Sequence, residues 1–182
     1  MPRRAAATPP PTAYQRALLR LARRDHSVAE LRRALVERGH EPAEIEEALE
    51  RLRRERYLDD AGFAERFARS RMQHQGLGRL RIRQGLRQRG VDRGTTEAGI
   101  AGALCEVDER EVLDGLARRY WRQHTAVEPA RRLPRLWAFL LRRGFSPGLV
   151  RDRLCGLWPR WRDALDGLEP AEPAEAHAGE RE

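Results

Sequence analysis

The sequence predicts an all-α fold: an elongated array of three tandem three-helix repeats with disordered termini. Three observations carry that expectation. Apolar residues recur at helical spacing through the middle of the chain, and alternating β-branched runs bounded by tight turns are missing. The string Leu-x-x-Arg-Gly occurs three times, as Leu35/Arg38/Gly39, Leu86/Arg89/Gly90 and Leu140/Arg143/Gly144, at intervals of 51 and 54 residues. Self-similarity at such a spacing marks a tandem supersecondary unit. The 182 residues are 40% apolar and 35% charged, enough apolar surface for thin helical layers but not for a deep globule.

The elements follow in order. Residues 1–12 are rich in Pro, Ala and Arg and are expected to be disordered. A helix over 14–24 places Leu18, Leu21 and Ala22 on one face. Ser27 followed by Glu30 forms a capping box, and Leu31, Ala34 and Leu35 give the next helix its apolar stripe. Gly39 stops that helix, and Pro42 suits the first turn of a third, whose inner face is Ile45, Leu49 and Leu52. The same grammar returns after upstream helices at 60–74 and 108–123, with Ile82 and Leu136 matching Leu31, Ile100 and Leu154 matching Leu49, and Pro147 matching Pro42; Arg93 stands there in the middle copy. The predicted boundaries are 13–58, 59–105 and 106–162, followed by an acidic disordered tail over 163–182.

The middle repeat ends in a helix containing Gly99 and Gly102. Each glycine costs a helix roughly 1 kcal/mol relative to alanine, so a closely packed neighbour is expected there. Trp121, Trp137, Trp158 and Trp161 all fall in the third repeat and are expected to pack in its core or cover the end of the array.

Composition excludes several functions. All 36 basic residues are arginine, so no P-loop lysine and no Schiff-base lysine exists. Codon bias accounts for that absence better than mechanism does. No apolar run approaches the length of a membrane span, and Met1–Thr12 lacks the apolar stretch of a signal peptide. Cys105 and Cys155 make no disulfide framework; they are expected to be small core residues of a cytoplasmic protein. His26, His40, His74, His124 and His177 are scattered at polar positions expected to be exposed, with no metal-ligand spacing. Asp59 and Asp60 lie between two helices, where capping explains them. Gly76-Leu77-Gly78 lacks the third glycine and preceding strand of a dinucleotide site. No enzyme and no cofactor is predicted.

Charge is informative. The net +8 divides into +2 over residues 1–60, +6 over 61–104, +6 over 105–162 and −6 over 163–182. A basic middle attracts nucleic acid or acidic protein surfaces. Helix 79–89 is its densest part: Ile82, Gly85 and Leu86 face inward, and Arg83 and Arg87 lie outward with Arg81, Gln84 and Gln88 beside them. Forked donors and amides suit phosphate oxygens or carboxylates. Arg38, Arg89 and Arg143 sit at helix ends, where interaction with the last carbonyls explains their recurrence. A helix-turn-helix reader is disfavoured: one candidate recognition helix opens Ala43-Glu44-Ile45-Glu46-Glu47, which would set carboxylates against phosphates, and the other offers Thr95, Thr96 and Glu97.

Tyr57-Leu58-Asp59-Asp60-x-x-Phe63-Ala64, then Arg71, then Gly78-x-x-Arg81-Ile82-x-x-x-Leu86-x-x-Arg89-Gly90-Val91 closely resembles the signature region of the RecX regulatory family. Ser27-x-x-Glu30-Leu31-x-x-x-Leu35-x-x-x-Gly39 is similar to that family's first repeat, and Arg142-Arg143-Gly144-Phe145-Ser146 to its third. The resemblance spans about residues 14–161. Arg89 stands where the family often has lysine; the acidic tail and the glycine-rich helix 94–103 are less typical. The resemblance implies a curved, all-helical array of three-helix repeats that acts as a regulator in the bacterial cytoplasm; a monomer is expected. Its implied partner is the RecA recombinase filament on single-stranded DNA, whose ATPase, strand exchange and growth it would inhibit in DNA repair, recombination and the SOS response. Weak contact with single-stranded DNA, or with double-stranded DNA, is expected of the basic middle. The alternatives are a general basic helical nucleic-acid-binding protein and, remotely, an enzyme with an unrecognised site.

Overall fold

The computed structural model describes residues 10–161. The predicted tails lie outside them, apart from residues 10–12. Among the described residues there are nine α-helices, one short 3-10 turn and no strand. The helices are α1 Ala13–Leu21, α2 Val28–Val36, α3 Pro42–Arg54, α4 Asp60–Gln75, α5 Arg79–Gln88, α6 Arg93–Glu106, α7 Glu109–Gln123, α8 Pro129–Arg142 and α9 Pro147–Leu157. The chain divides into two compact units, Met1–Arg71 with Ile82–Glu106 and Met72–Arg81 with Val107–Glu182.

In the first unit α1 packs on α2 and α3. Ala13, Ala17, Val28, Leu31, Leu35, Ile45, Leu49, Leu52 and Leu58 form a buried core, with Leu18 and Leu21 partly buried against it. Ala22 does not join that face as expected; it is exposed, because α1 ends at Leu21 and the chain turns away. The small Ala13 and Ala17 bring α1 close to its neighbours instead. The Ser27–Glu30 capping box forms, and Thr12 with Gln15 makes a second one at the start of α1. Buried Ser27 does more than cap: its hydroxyl donates to the Arg89 carbonyl at 2.6 Å while accepting from the Glu30 N–H at 3.1 Å. That single oxygen joins the first repeat to the second. Asp59 accepts from the Ala61 N–H at the head of α4, and Asp60 reaches across to accept the Val28 N–H at 2.9 Å. Both aspartates are caps. Burial pushes the Asp60 carboxyl above its ordinary range despite that N–H.

The Leu-x-x-Arg-Gly string has a common backbone cause. Gly39, Gly90 and Gly144 have φ of +77°, +78° and +90°. Each lets the chain turn left-handed, so that the following N–H bonds back to the leucine carbonyl: His40 to Leu35 at 3.3 Å, Val91 to Leu86 at 3.2 Å and Phe145 to Leu140 at 3.4 Å. The glycine N–H itself bonds to the carbonyl of Val36, Arg87 or Leu141. This is a Schellman closure, and the buried leucine four residues before the glycine is its apolar anchor.

The expected close approach in the middle repeat is present. A Cβ built on Gly99 would lie 2.6 Å from Ala64 Cβ and 2.8 Å from its carbonyl carbon. Helix α6 rests directly on the backbone of α4. Phe63, Ala64, Ala68, Ile82, Leu86, Val91, Ile100 and Ala103 are buried in this repeat.

In the second unit α7 packs on α8 and α9 around Leu113, Leu133, Leu136, Trp137, Leu140, Phe145, Val150 and Leu154. Trp137 is in the core and Trp121 packs against Trp158 in a tilted pair with ring centres 4.8 Å apart, so these three tryptophans are packing residues; the Trp161 side chain lies outside the described residues. Buried Arg132 donates to the carbonyls of Thr125 at 2.8 Å and Val127 at 3.0 Å and ties down the α7–α8 connection. Gly78 and Leu80 donate to the carbonyls of Arg143 and Gly144 at 2.9 and 3.0 Å. Buried Glu109 receives the Arg79 N–H and guanidinium, both at 2.9 Å.

Two further expectations fail. Cys105 is exposed rather than in the core, because it falls on the outer face of α6; Cys155 is partly buried. His26 is only 6% exposed rather than at the surface, because the turn between α1 and α2 folds it inward.

Candidate functional site

Ile82 and Leu86 are fully buried and set the orientation of α5. The remaining polar residues do not share one face. At about 100° per residue, Arg83 and Arg87 lie together, whereas Arg81, Gln84 and Gln88 project on another side. Arg81 belongs to the second unit, where its backbone and Cβ sit tightly under Gly144. The Gln88 carbonyl accepts from Arg33 at 3.2 Å.

Arg83 and Arg87 instead enter a groove of about 770 Å³ between α5 and α6, lined also by Val91, Arg93, Thr96 and Glu97. Arg93 and Thr96 were not candidates from the sequence; they enter the site because Asp92 caps α6 through the Thr95 N–H at 2.9 Å and aims its first turn at α5. Arg83 grips Glu97 with both ends of its fork, Nε at 2.5 Å and Nη2 at 2.8 Å. That bond raises the Arg83 pKa, and the same bond, with the charges of Arg83 and Arg93, holds Glu97 below the usual carboxylate range. Arg87 is exposed and has no carboxylate within ion-pair distance among the described residues. The Thr96 hydroxyl is buried without a partner. The groove thus offers a free guanidinium, a second one at its rim and a hydroxyl, around an apolar floor at Val91. It suits an anionic group, with Glu97 as a built-in competitor for Arg83.

The three repeated arginines have three different surroundings. Arg89 donates to the Gly85 carbonyl of its own helix at 2.9 Å and stacks over Phe67 at 4.6 Å, as a helix-end residue should. Burial lowers its pKa, partly offset by Glu30. Arg143 reaches the Gln75 carbonyl of another element and lies over Phe139. Arg38 is exposed. Among the described residues no group of three or more His, Cys, Asp or Glu could hold a metal ion.

Three family profiles match the chain in order: RecX, first three-helix domain, over residues 13–52; RecX, second three-helix domain, over 59–100; and RecX, third three-helix domain, over 108–154. The chain belongs to the RecX family of regulatory proteins. Regulatory protein RecX of Halorhodospira halophila is 42% identical over 140 residues, covering 74% of this chain and 81% of that one. Regulatory protein RecX of Cronobacter sakazakii is 37% identical over 154 residues, covering 76% and 90%. A crystal structure of RecX from Lactobacillus salivarius shares the fold with a TM-score of 0.70 at 20% identity, covering 80% of this chain and 94% of that chain. A second RecX crystal structure gives 0.65 at 26% identity, covering 75% and 68%.

The RecX signature residues turn out to be mostly architectural here. Leu58, Phe63 and Ile82 are core, Asp59 and Asp60 are caps, and Arg71 lies over Phe67 at 4.9 Å. Gly78 has no room for a Cβ beside the Gly144 carbonyl. Tyr57 is the exception, at 58% exposed.

Proposed function

We propose that this RecX-family chain binds the RecA recombinase filament on single-stranded DNA and inhibits its ATPase, strand exchange and growth, so modulating homologous recombination and DNA repair. Three repeats over 13–58, 59–105 and 106–162 supply the contact surface, and the chain acts as a monomer without a cofactor in the bacterial cytoplasm. The supporting observation is the cationic α5–α6 groove, with Arg87 lacking a carboxylate partner, in a chain of this regulatory family. No helix among the described residues is long and apolar enough to cross a membrane.

A repeat protein that prefers one arrangement of filament subunits shifts the filament towards it by the difference in its affinity for the two arrangements. Binding need not involve chemistry at the nucleotide.

The test is filament ATPase inhibition at several salt concentrations by Arg83→Ala/Arg87→Ala/Arg93→Ala, with Arg81→Ala in parallel. Losing two charge-assisted contacts at about 1.5 kcal/mol each weakens inhibition by roughly 100-fold. Arg81→Ala, on another side of α5, has the smaller effect. Unchanged inhibition and salt slope in the triple variant would exclude the groove. Tighter binding to bare DNA than to a preformed filament at equal salt would favour a general nucleic-acid-binding protein.

A further inference from the structure

The first repeat holds a second cationic groove, separate from the one between α5 and α6. Helix α1 presents Arg16, Leu19 and Arg20 on one face, at i, i+3 and i+4, and Arg23 follows in the turn after the helix. Facing them are Ala34 and Leu35 of α2 and Arg38 just beyond it, and the α1–α2 turn adds Arg24 and His26. The space enclosed is about 430 Å³, and its lining contains five arginines and no carboxylate.

Four of these five arginines are not neutralised elsewhere. Arg24 is committed to Glu30 at 3.2 Å, and the nearby Asp25 is taken by Arg66 at 2.8 Å. Arg16, Arg20, Arg23 and Arg38 have no carboxylate within ion-pair distance among the described residues. Two further atoms lack partners: Arg16 Nε and His26 Nδ1 are both buried and unbonded. His26 is more than nine-tenths buried, and its nearest carboxylate oxygen, on Glu30, stands 3.7 Å away. By contrast, the arginines around Phe67 are mostly spent on Asp25, Glu30 and the ring itself.

We propose that this groove binds successive phosphates of a nucleic-acid strand through Arg16, Arg20, Arg23 and Arg38, without reading base sequence. Arg16 and Arg20 stand one turn, about 6 Å, apart along α1, enough to meet two neighbouring phosphates of one strand. Arg23 and Arg38 line the same groove beyond the helix ends. Arginine is a donor only, and a phosphodiester brings acceptors only. An acidic peptide would also bring main-chain N–H donors, for which the four unpaired arginines offer no acceptor. No Asn, Gln, Phe, Tyr or Trp side chain lines the groove, and the His26 ring is buried, so a row of charged forks suited to phosphates dominates it. The inference deepens the reading above by locating a nucleic-acid contact, and its test uses no recombinase, so the two fail separately.

The experiment compares the full chain with Arg20→Ala/Arg23→Ala/Arg38→Ala by fluorescence anisotropy on a labelled oligo-dT, over a range of salt. All three residues are on the surface or partly so, and matched thermal melting by circular dichroism establishes that the fold is kept. Three lost phosphate contacts lower the log–log salt slope by about 2 and weaken binding at least ~10-fold at low salt. Arg20→Lys/Arg23→Lys/Arg38→Lys, which keeps the charge, retains most of the slope. An unchanged slope and affinity in the folded alanine variant would overturn the proposal. So would stronger competition by poly-glutamate than by inorganic polyphosphate of equal charge, which would assign the groove to acidic protein.

Discussion

At the scale of single residues, three glycines in the same motif face different costs if given a side chain. All have positive φ, which disfavours alanine by about 1–2 kcal/mol. Beyond that, a Cβ on Gly39 meets nothing within 4 Å, one on Gly90 meets the Ala29 methyl, and one on Gly144 meets the backbone N of Arg81. Backbone cannot swing aside. Urea denaturation of Gly39→Ala, Gly90→Ala and Gly144→Ala should therefore show rising destabilisation in that order, with Gly39→Ala losing only about 1–2 kcal/mol. Equal losses would mean that conformation alone sets the cost. His26 gives a second prediction. Burial, then the charge of Arg24, pulls its pKa below the ordinary 6.5, against the weaker opposing pull of Glu30. Between the folded value and 6.5 the unfolded chain takes up a proton that the folded chain refuses. Its contribution is complete above pH 6.5 and is lost as pH falls below it. The urea midpoint should drop more steeply from about pH 7.5 to about pH 5.5 in the natural protein than in His26→Gln. Parallel slopes would remove His26 from the account.

At the scale of elements, α6 separates two uses of glycine. Helix propensity alone favours alanine over glycine by about 1 kcal/mol at both Gly99 and Gly102. At Gly102 the nearest atoms are the side-chain carbons of Glu65 at 3.1 and 3.2 Å, which can move. At Gly99 they are the Ala64 Cβ and the α4 backbone, which cannot. Gly102→Ala should raise the thermal midpoint and Gly99→Ala should lower it, by the equivalent of about 1–3 kcal/mol. Stabilisation by both would show that α6 is not held against α4. The glycines and their helical setting were legible in the sequence. Which of them touched backbone depended on the rotation of α6 against α4, and neither helix encodes that rotation alone.

At the scale of the whole molecule, charge is segregated more finely than segment sums show. Residues 1–60 sum to only +2, yet α1 and the turn after it bring Arg16, Arg20 and Arg23 to one groove while most of that segment's glutamates lie on or beside α3. A near-neutral segment can thus carry a strongly cationic groove, because field depends on which face a charge occupies. The long acidic tail offsets that field overall. Removing residues 163–182 changes the net charge from +8 to +14. Affinity for single-stranded DNA at low salt should rise, and the gain should shrink as salt screens the tail. No change would show that the tail exerts no field on the bound strand.

The sequence by itself determined what depends on neighbours along the chain: helix periods, the Ser27 capping box, Pro42 and Pro147 at first turns, and the glycines that close α2, α5 and α8. Those features rest on hydrogen bonds spanning five or six residues, so spacing alone reports them. Only the tertiary structure decided the second bond of Ser27 to Arg89, the reach of Asp60 to Val28 and the inward turn of His26. It also gave Arg83 to Glu97, while Arg93 and Thr96 joined Arg87. Each of these depends on how helices distant in sequence are rotated against one another, and that is settled by the fit of buried side chains rather than by any local pattern.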